Sequence, residues 1–405
     1  MSAITAKASR KMKKYAVLTR EPRCFLGSFD FSWEQRKLGD VVKEITRNDP
    51  ESEAPIMMIT ANNGFIEQSE RYAFNNAGES LKKYILLKKG ELAYNHGASK
   101  LRPYGSCFAL TTAENARIPF VYHCFSAENQ NAEFMSIELN GAEIENQLRK
   151  IVSSGARMDG LLNISFDEYT SVSVILPGTE EQDRIADFFR HLDNLITLHQ
   201  RKFEKLTNVK KSMLEKMFPQ NGSSYPEIRF KGFTDPWEQR KFEEIAVRSS
   251  VICSDDTLPR VEYEDIVSGT GRLNKDIYAK QSSKSGIAFH QGDVLYGKLR
   301  PYLQNWLLPT FDGLAVGDFW VLQPQNADSS FLYRLIQSRQ FDEVANQSTG
   351  TKMPRADWKL VSKTVFSIPS NISEQAAIGT YFTALDSLIT LHQRQPFFIQ
   401  PRIFL

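Results

Sequence analysis

The sequence predicts a mixed α/β (α+β) protein made of two similar domains, each followed by a long helix. The string WEQRK occurs at Trp33 to Lys37 and returns at Trp237 to Lys241, about 204 positions later. The string LDNLITLHQR at residues 192–201 returns as LDSLITLHQR at residues 385–394, about 193 positions later. Short alternating apolar segments with glycine turns fill each repeat, as strands do. Because stacked repeats have periods of roughly 20 to 50 residues, each repeated unit here is a whole domain.

The composition is that of an ordinary globular protein. Of 405 residues, 41% are hydrophobic and 24% are charged, and the formal net charge is +2. A chain of this length is expected to form two or three domains, each with its own core. Its apolar runs are far shorter than the roughly 18 residues of a membrane span, and no hydrophobic signal region follows the basic start. We therefore predict a cytoplasmic protein.

The repeats set the predicted order of elements along the chain. In each half, a strand that ends in proline precedes the residues EQ and then the helix, with SVSVILP at 171–177 and TVFSIP at 364–369. The predicted segments are an irregular N-terminal extension at 1–22, a first domain at 23–178, a first helix at 179–219, a linker at 220–226, a second domain at 227–370, a second helix at 371–395 and an aberrant tail at 396–405.

The first helix is predicted to pack along a coiled-coil-like seam. Its apolar residues recur every three or four positions from Ile185 to Met217, with one stutter around His199. From Glu180 to Met217, at 1.5 Å per residue, the helix would extend about 57 Å. His199 and His392 hold equivalent positions, which favours a packing role over metal binding. The predicted interface with a partner helix comprises Leu192, Leu195, His199, Phe203, Leu206, Leu385, Leu388 and His392.

The second helix is predicted to be shorter than the first. After Arg394 the chain continues as QPFFIQPRIFL, and Pro396 and Pro401 are incompatible with a continuing helix. About 22 helical residues remain, or roughly 33 Å. The second helix would then cover only part of the first. A frameshift, a recombined or phase-variable locus, or an engineered end would each explain such a tail.

No catalytic or metal-binding motif is predicted. GDVLYGKL, at Gly292 to Leu299, matches the GxxxxGK of a P-loop, but a leucine replaces the residue that would hold magnesium and no helix is predicted to follow. HExxH, a dinucleotide-binding glycine turn and a nucleophile elbow are all absent from the sequence. The six histidines lie far apart, and the four cysteines have no CxxC spacing, so neither zinc nor a disulfide framework is expected.

Basic and aromatic residues recur on matching predicted turns in the two halves. KKGELAYNHGASKLRPY in the first half resembles HQGDVLYGKLRPY in the second, and SSGARM resembles STGTKM. Arginine and lysine neutralise phosphates or read guanine, and asparagine reads adenine, so these turns suit DNA contact. Solvated turn charge, or maintenance of a shared fold, would also explain the recurrence. The predicted DNA-binding residues are Tyr94, Asn95, Lys100, Arg102, Arg157, Tyr296, Lys298, Arg300 and Lys352.

Together these features resemble the specificity (S) subunit of type I restriction-modification systems. The resemblance rests on WEQRK, on a strand ending in proline followed by EQ, and on LDxLITLHQR, each present twice, and it covers about residues 23 to 394. It implies that the two domains are target recognition domains. It also implies that the two helices are conserved-region helices, packed antiparallel as a coiled coil in a pseudo-twofold arrangement. Each domain would read one half of a bipartite DNA target, and the helices would set the spacer.

The resemblance further implies a subunit that is not catalytic by itself. Two modification (methyltransferase) subunits would dock on the helices, and restriction/translocase subunits would join them. S-adenosylmethionine, ATP and Mg would bind only in those partners, so no cofactor is expected in this chain. Two alternatives stay open at this point. One is a standalone DNA methyltransferase or nuclease, and the other is a degenerate scaffold subunit without DNA binding.

Overall fold

A computed structural model of the chain describes residues 33–61, 63–70, 78–152, 161–220, 222–279, 282–347 and 353–394. The chain divides into two compact units, with the boundary between Asp193 and Asn194. Each unit mixes short strands with helices, which confirms the predicted mixed α/β class. The predicted extension at 1–22 and tail at 396–405 lie outside the described residues. None of the described helices is long and apolar enough to cross a membrane.

Short strands, short helices and the start of one long helix make up the first unit. Its strands are β1 (Glu34–Lys37), β2 (Val42–Glu44), β3 (Met57–Thr60), β4 (Gly64–Glu67), β5 (Ile85–Lys88), β6 (Leu92–Asn95), β7 (Ser106–Ala109), β8 (Asn115–Ile118), β9 (His123–Ala127) and β10 (Ser173–Leu176). Its helices are α1 (Ala132–Leu139), α2 (Ala142–Ile151), α3 (Phe166–Thr170) and the beginning of α4 (Thr179–Lys216). A four-stranded sheet has the order β2-β9-β6-β7, and β1 pairs with β10, β3 with β4 and β5 with β8.

The second unit begins within α4 and has more, shorter strands. These are β11 (Glu238–Lys241), β12 (Ala246–Ser249), β13 (Ile252–Cys253), β14 (Arg260–Val261), β15 (Ile266–Val267), β16 (Arg272–Leu273), β17 (Gly286–Phe289), β18 (Val294–Gly297), β19 (Trp306–Leu307), β20 (Gly313–Ala315), β21 (Phe319–Pro324) and β22 (Val365–Ile368). Its further helices are α5 (Phe242–Ile245), α6 (Ser329–Leu335), α7 (Arg339–Ala345), α8 (Trp358–Lys363) and α9 (Ile372–Arg394).

The two units share one sheet topology and differ in the rest. In the second unit a four-stranded sheet has the order β12-β21-β18-β19, which repeats the order of β2-β9-β6-β7 strand for strand. The pair β11-β22 likewise repeats β1-β10. The remaining strands do not correspond, because the second unit adds a sheet β13-β17-β20-β14, in which β14 runs parallel to β20, and the pair β15-β16. Duplication therefore extends beyond the repeated strings to a whole sheet.

The repeated strings contact each other within each unit. WEQRK supplies β1 and β11, and each of these strands pairs antiparallel with the strand that ends in proline. The indole Nε1 of Trp33 donates to Glu181 Oε1 at 3.3 Å, and that of Trp237 donates to Glu374 Oε1 at 3.2 Å. In the second unit Arg229 adds a bidentate ion pair to Glu374, at 2.7 and 2.8 Å. The strand pair and the helix start are thus tied together by the same side chains in both units.

The glutamine of each EQ pair joins three elements. The buried Gln182 amide donates to the carbonyl of Pro177 at 2.9 Å and accepts from the backbone N–H of Asn131, the N-cap residue of α1, at 2.9 Å. Gln375 makes the same two bonds, to the carbonyl of Pro369 at 2.7 Å and from the N-cap residue of α6 at 2.8 Å. Without the glutamine, a proline carbonyl and an N-cap N–H would each lose its partner, and an unpaired buried polar group costs about 1 to 3 kcal/mol. This cost explains why glutamine occupies both positions. We call the strand pair and the helix start with its EQ residues the frame of each unit.

The cores of the two units are built on aromatic residues. In the first unit Tyr94 and Tyr169 stack within a buried cluster, with ring centroids 3.9 Å apart. Burial raises the pKa of the neighbouring Cys107 thiol to about 12, so this free cysteine stays protonated at neutral pH. In the second unit Phe331 of α6 and Phe382 of α9 are fully buried in one cluster with the end of α4.

The second unit contains an antiparallel pair formed by α9 and the part of α4 that follows Asn194. His199 Nδ1 lies 2.9 Å from His392 Nδ1, and Lys210 Nζ lies 2.7 Å from Asp386 Oδ1. Positions that rise along α4 thus meet positions that fall along α9, as the predicted antiparallel packing requires. Arg334 of α6 shares the Asp386 carboxylate, with its Nη1 2.7 Å from Oδ2.

The buried seam differs from the predicted one by one residue on each helix. Leu195 and Leu388, assigned to the partner-helix interface, are 45% and 44% exposed, and that assignment is corrected. The neighbouring Ile196 and Ile389 are the partly buried residues instead. Burial on α4 then follows positions 192, 196, 199, 203, 206, 210 and 213, which alternate steps of four and three without the predicted stutter. Leu195 and Ile196 are adjacent and both apolar, and so are Leu388 and Ile389. Periodicity alone therefore could not show which residue of each pair is buried.

The other predicted interface residues are buried or half-buried on their helices. Leu206 packs against the buried cluster of the second unit, to which Leu385 belongs. Phe203 is half-buried on the same face of α4. Leu192 is half-buried too, but it precedes the unit boundary and belongs to the first unit.

Candidate nucleic-acid interface

In the second unit, the loop after β18 runs beside a segment from the far end of the domain. Leu299 forms an isolated antiparallel bridge with Arg355. The N–H of Arg300 donates to the carbonyl of Pro354 at 2.7 Å, and the N–H of Ala356 donates to the carbonyl of Lys298 at 2.8 Å. The bridge brings together the predicted KLRPY turn and the residues that follow STGTKM.

Three basic residues meet on this bridge, and two of them pair with the same carboxylate. Asp318 Oδ1 lies 3.5 Å from Lys298 Nζ, and its Oδ2 lies 3.1 Å from Arg355 Nη2. Among the described residues no carboxylate pairs with Arg300, and its Nε is buried without an acceptor. Because a buried donor without an acceptor is costly and no carboxylate of the described residues offsets its charge, Arg300 is the cation of this bridge that an external anion would stabilise most.

A half-buried tyrosine holds the position of this loop. The hydroxyl of Tyr263 donates to the carbonyl of Asp318 at 2.9 Å and accepts from the N–H of Leu299 at 2.8 Å. Burial raises the pKa of Tyr263 well above its ordinary range, so it remains a neutral donor. Gly297 makes this contact possible, because a Cβ there would lie 2.7 Å from the Tyr263 hydroxyl.

The first unit brings the matching segments together. Gly97 bridges to Leu161, and the N–H of Leu162 donates to the carbonyl of His96 at 2.9 Å. The ring nitrogens of His96 contact the carbonyls of Leu162 and Val121 at 2.9 and 2.7 Å. The loop after β6 is therefore fastened to the segment after SSGARM, as its counterpart is in the second unit.

The basic turn of this loop presents one exposed and one anchored cation. Lys100 is exposed, and so is the neighbouring Leu101. Arg102 Nη1 donates to the carbonyl of Asn140 at 2.8 Å, which holds the guanidinium beside the C-terminal end of α1. The guanidinium of Arg149 covers the ring of Tyr104, 5.8 Å from its centroid.

Three predicted DNA-binding residues are corrected by their surroundings. Tyr94 and Tyr296 are only 1% and 2% exposed, and each stacks in a core, on Tyr169 and on Trp320 respectively. Alternation along a strand places Tyr94 on the same face as Leu92, and that signal was available in the sequence. The amide of Asn95 is occupied within the unit, since it donates to the carbonyl of Ile59 in β3 at 3.0 Å and accepts from the N–H of Gly97 at 2.9 Å.

The remaining predicted residues fall into two groups. Lys100, Arg102, Lys298 and Arg300 lie on the two bridged loops. Arg157 and Lys352 lie outside the described residues. Sequence reasoning missed Arg355, although it stands only three positions after Lys352. Its proximity to Lys298 depends on a pairing across more than fifty residues, which no local pattern signals.

Two curated relatives match part of the chain. The type I restriction enzyme EcoDI specificity subunit of Escherichia coli is 23% identical over 251 residues, covering 54% of this chain and 56% of that protein. The type I restriction enzyme MjaVIII specificity subunit of Methanocaldococcus jannaschii is 22% identical over 268 residues, covering 60% and 62%. The chain thus spans less than two thirds of the length of these relatives. No protein-family model matches it.

A solved structure shares the fold over nearly the whole chain. The crystal structure of the type I restriction-modification system S subunit from M. genitalium superposes with a TM-score of 0.53 at 12% sequence identity, covering 92% of this chain and 94% of that one. The repeated strings and the fold give the same resemblance. In sequence over about half its length and in fold over most of it, the chain resembles the specificity subunits of type I restriction-modification systems, as its repeated strings predicted.

Proposed function

We propose that the chain is the DNA sequence-specificity subunit of a type I restriction-modification complex and has no catalysis of its own. The observation that carries the proposal is the duplicated sheet, since β2-β9-β6-β7 and β12-β21-β18-β19 each carry a basic loop after the matching strand. Two readers on one chain suit a target of two unlike halves, as paired modules suit spaced half-sites. The sequence relatives, both named as specificity subunits, support the same function.

The proposed DNA contacts are Lys100 and Arg102 in the first unit and Lys298 and Arg300 in the second. All four lie on the bridged loops, and Arg300 has no carboxylate partner among the described residues. Charge reversal of the four side chains should weaken specific binding and flatten its dependence on salt, because fewer phosphate counterions would be released. Unchanged affinity and an unchanged salt slope would refute these contacts.

We propose that two copies of one partner, the modification subunit, dock on the helix pair. His199 and His392 are equivalent in the repeat, and equivalent residues touch each other only at a local twofold axis. Exposed leucines stand on both helices at equivalent positions, Leu195 and Leu198 on α4 and Leu388 and Leu391 on α9. Restriction/translocase subunits would join that core. Because such a complex acts on the DNA of its own cell, the proposal includes a cytoplasmic location.

The test is coexpression with the cognate modification subunit, followed by methylome sequencing of the host. A methylated motif of two specified halves with an unspecified gap is expected, and it should vanish when either gene is deleted. Methyl transfer by the purified chain alone would instead establish a standalone methyltransferase. A complex that forms but shows no DNA binding would establish a scaffold.

A further inference from the structure

The turn at residues 300–304 of the second unit has an unusual backbone at both ends. Arg300 has φ 50° and Gln304 has φ 55°, both in the left-handed region that glycine favours. Neither residue is glycine, so the surrounding structure must hold the strain in place. Strained backbone of this kind collects at functional sites.

Hydrogen bonds fix the turn from inside and outside. Within it, the N–H of Leu303 donates to the carbonyl of Arg300 at 2.8 Å, and the N–H of Gln304 donates to that of Pro301 at 2.9 Å. From outside, Gly269 donates its N–H to the carbonyl of Gln304 at 3.0 Å, and Arg300 is tied to Pro354. A side chain on this turn is therefore presented on a rigid support, as precise recognition requires.

The rigid turn presents an aromatic ring beside three cations. Tyr302 is 56% exposed at the tip, and Leu303 next to it is exposed as well. Lys298, Arg300 and Arg355 surround the base of the turn. Exposed apolar surface with a basic rim suits a partner that is anionic at its edges and apolar between them, which describes base edges flanked by phosphates.

The matching turn of the first unit presents a different side chain. Its tyrosine, Tyr104, lies under the guanidinium of Arg149, and Leu101 is the exposed residue instead. The two units thus expose different positions of the shared KLRPY string, the leucine in the first unit and the tyrosine in the second. Readers of two different half-sites must differ in this way.

We infer that Tyr302 is a specificity-determining residue of the second unit, and that its ring packs on the apolar edge of a base pair in the major groove. The inference rests on the proposed function and deepens it. In the major groove the thymine methyl is the apolar feature that distinguishes one base pair from another. Tyr302 therefore selects an A·T pair in the half-site read by the second unit.

The experiment compares three variants in the complete complex with the modification subunit. Tyr302→Ala removes the ring, Tyr302→Phe keeps it without the hydroxyl, and Tyr278→Ala removes a control tyrosine that is 70% exposed in the same unit. Methylome sequencing then reports each half-site. Discrimination at one A·T position of one half-site should fall about tenfold in Tyr302→Ala. Tyr302→Phe and Tyr278→Ala should keep the parental motif.

Other outcomes overturn the inference while the proposed function stands. An unchanged motif in Tyr302→Ala, a uniform loss of methylation across both halves with unaltered preferences, or relaxation at a G·C pair would each do so. Equal relaxation in Tyr302→Phe would assign the reading to the hydroxyl and not to the ring. If the parental complex itself gave no bipartite motif, the proposed function would fail, which is a distinguishable result. Thermal melting of each variant checks that it is folded.

Discussion

Replacing Glu374 by alanine should destabilise the second unit far more than replacing the equivalent Glu181 destabilises the first. The Glu374 side chain is 2% exposed and accepts from Arg229 at 2.7 and 2.8 Å and from Trp237 at 3.2 Å. Glu181 is half-buried and accepts from Trp33 at 3.3 Å. The glutamate of the EQ pair therefore contributes much more to the stability of the second unit than to that of the first.

The structure sets the size of the difference. Glu374→Ala leaves a guanidinium that is 15% exposed without its carboxylate, and removing one partner of a buried pair costs about 3 kcal/mol at the lower end of the known range. Loss of the single Trp33 bond on a partly hydrated surface costs about 1 kcal/mol. At about 2 to 4 °C per kcal/mol for a unit of this size, the melting temperatures should fall by roughly 6 to 12 °C and 2 to 4 °C.

Calorimetry of the purified chain would measure both shifts, and hydrogen exchange would assign each one to its unit. A third variant sharpens the test, because replacing Glu374 and Arg229 together by methionine removes both charges and should recover most of the lost stability. Equal shifts for the two alanine variants would contradict the reasoning. So would a double variant less stable than Glu374→Ala.

Three further predictions concern the helix pair and the second unit's loop. Burial lowers the pKa of His392 below its ordinary 6.5, so the unfolded chain binds more protons and the free energy of unfolding should fall as the pH drops through 6.5. His392→Gln should remove this pH dependence, which urea titrations at several pH values would measure. Phe382→Ala, at a fully buried site, should cost about 3 to 5 kcal/mol, whereas Leu388→Ala should change stability by less than about 0.5 kcal/mol yet weaken copurification of the modification subunit. Gly297→Ala would place a Cβ 2.7 Å from the Tyr263 hydroxyl and so displace the loop. DNA affinity should then fall in gel-shift assays, while the melting temperature of the helix pair stays the same.

The frame could be predicted from the sequence because its signals are local and occur twice. The strand that ends in proline and the helix that begins near EQ were both predicted, and both form in each unit, whereas the strands formed by WEQRK were not predicted. The choice between Leu195 and Ile196 for the seam could not be made, since both are apolar and a step of three or four fits a helix equally well. Strand alternation predicts that Tyr94 is buried. The basic residues Lys100 and Arg102 on the turn that follows favoured a surface position instead.

The candidate interface was predictable only in part, for a physical reason. Lys298 and Arg300 stand on a turn whose composition is visible locally. The partners of that turn, Pro354 and Arg355, are contributed by a segment more than fifty positions away, and their pairing depends on the closure of the whole domain. The left-handed backbone at Arg300 is equally invisible, because a non-glycine residue adopts it only when tertiary contacts impose it.

The contacts that stabilise each frame are separate from the loops that we propose to read DNA. Tryptophan to glutamate, glutamine to the proline carbonyl and strand to strand are all made between repeated strings. The bridged loops use none of these residues. Substitutions on the loops therefore remove none of the named frame contacts, and the extra sheets differ between the two units while the frame is the same. A chain with this division can acquire a new target in one half while the other half and the helix pair stay the same.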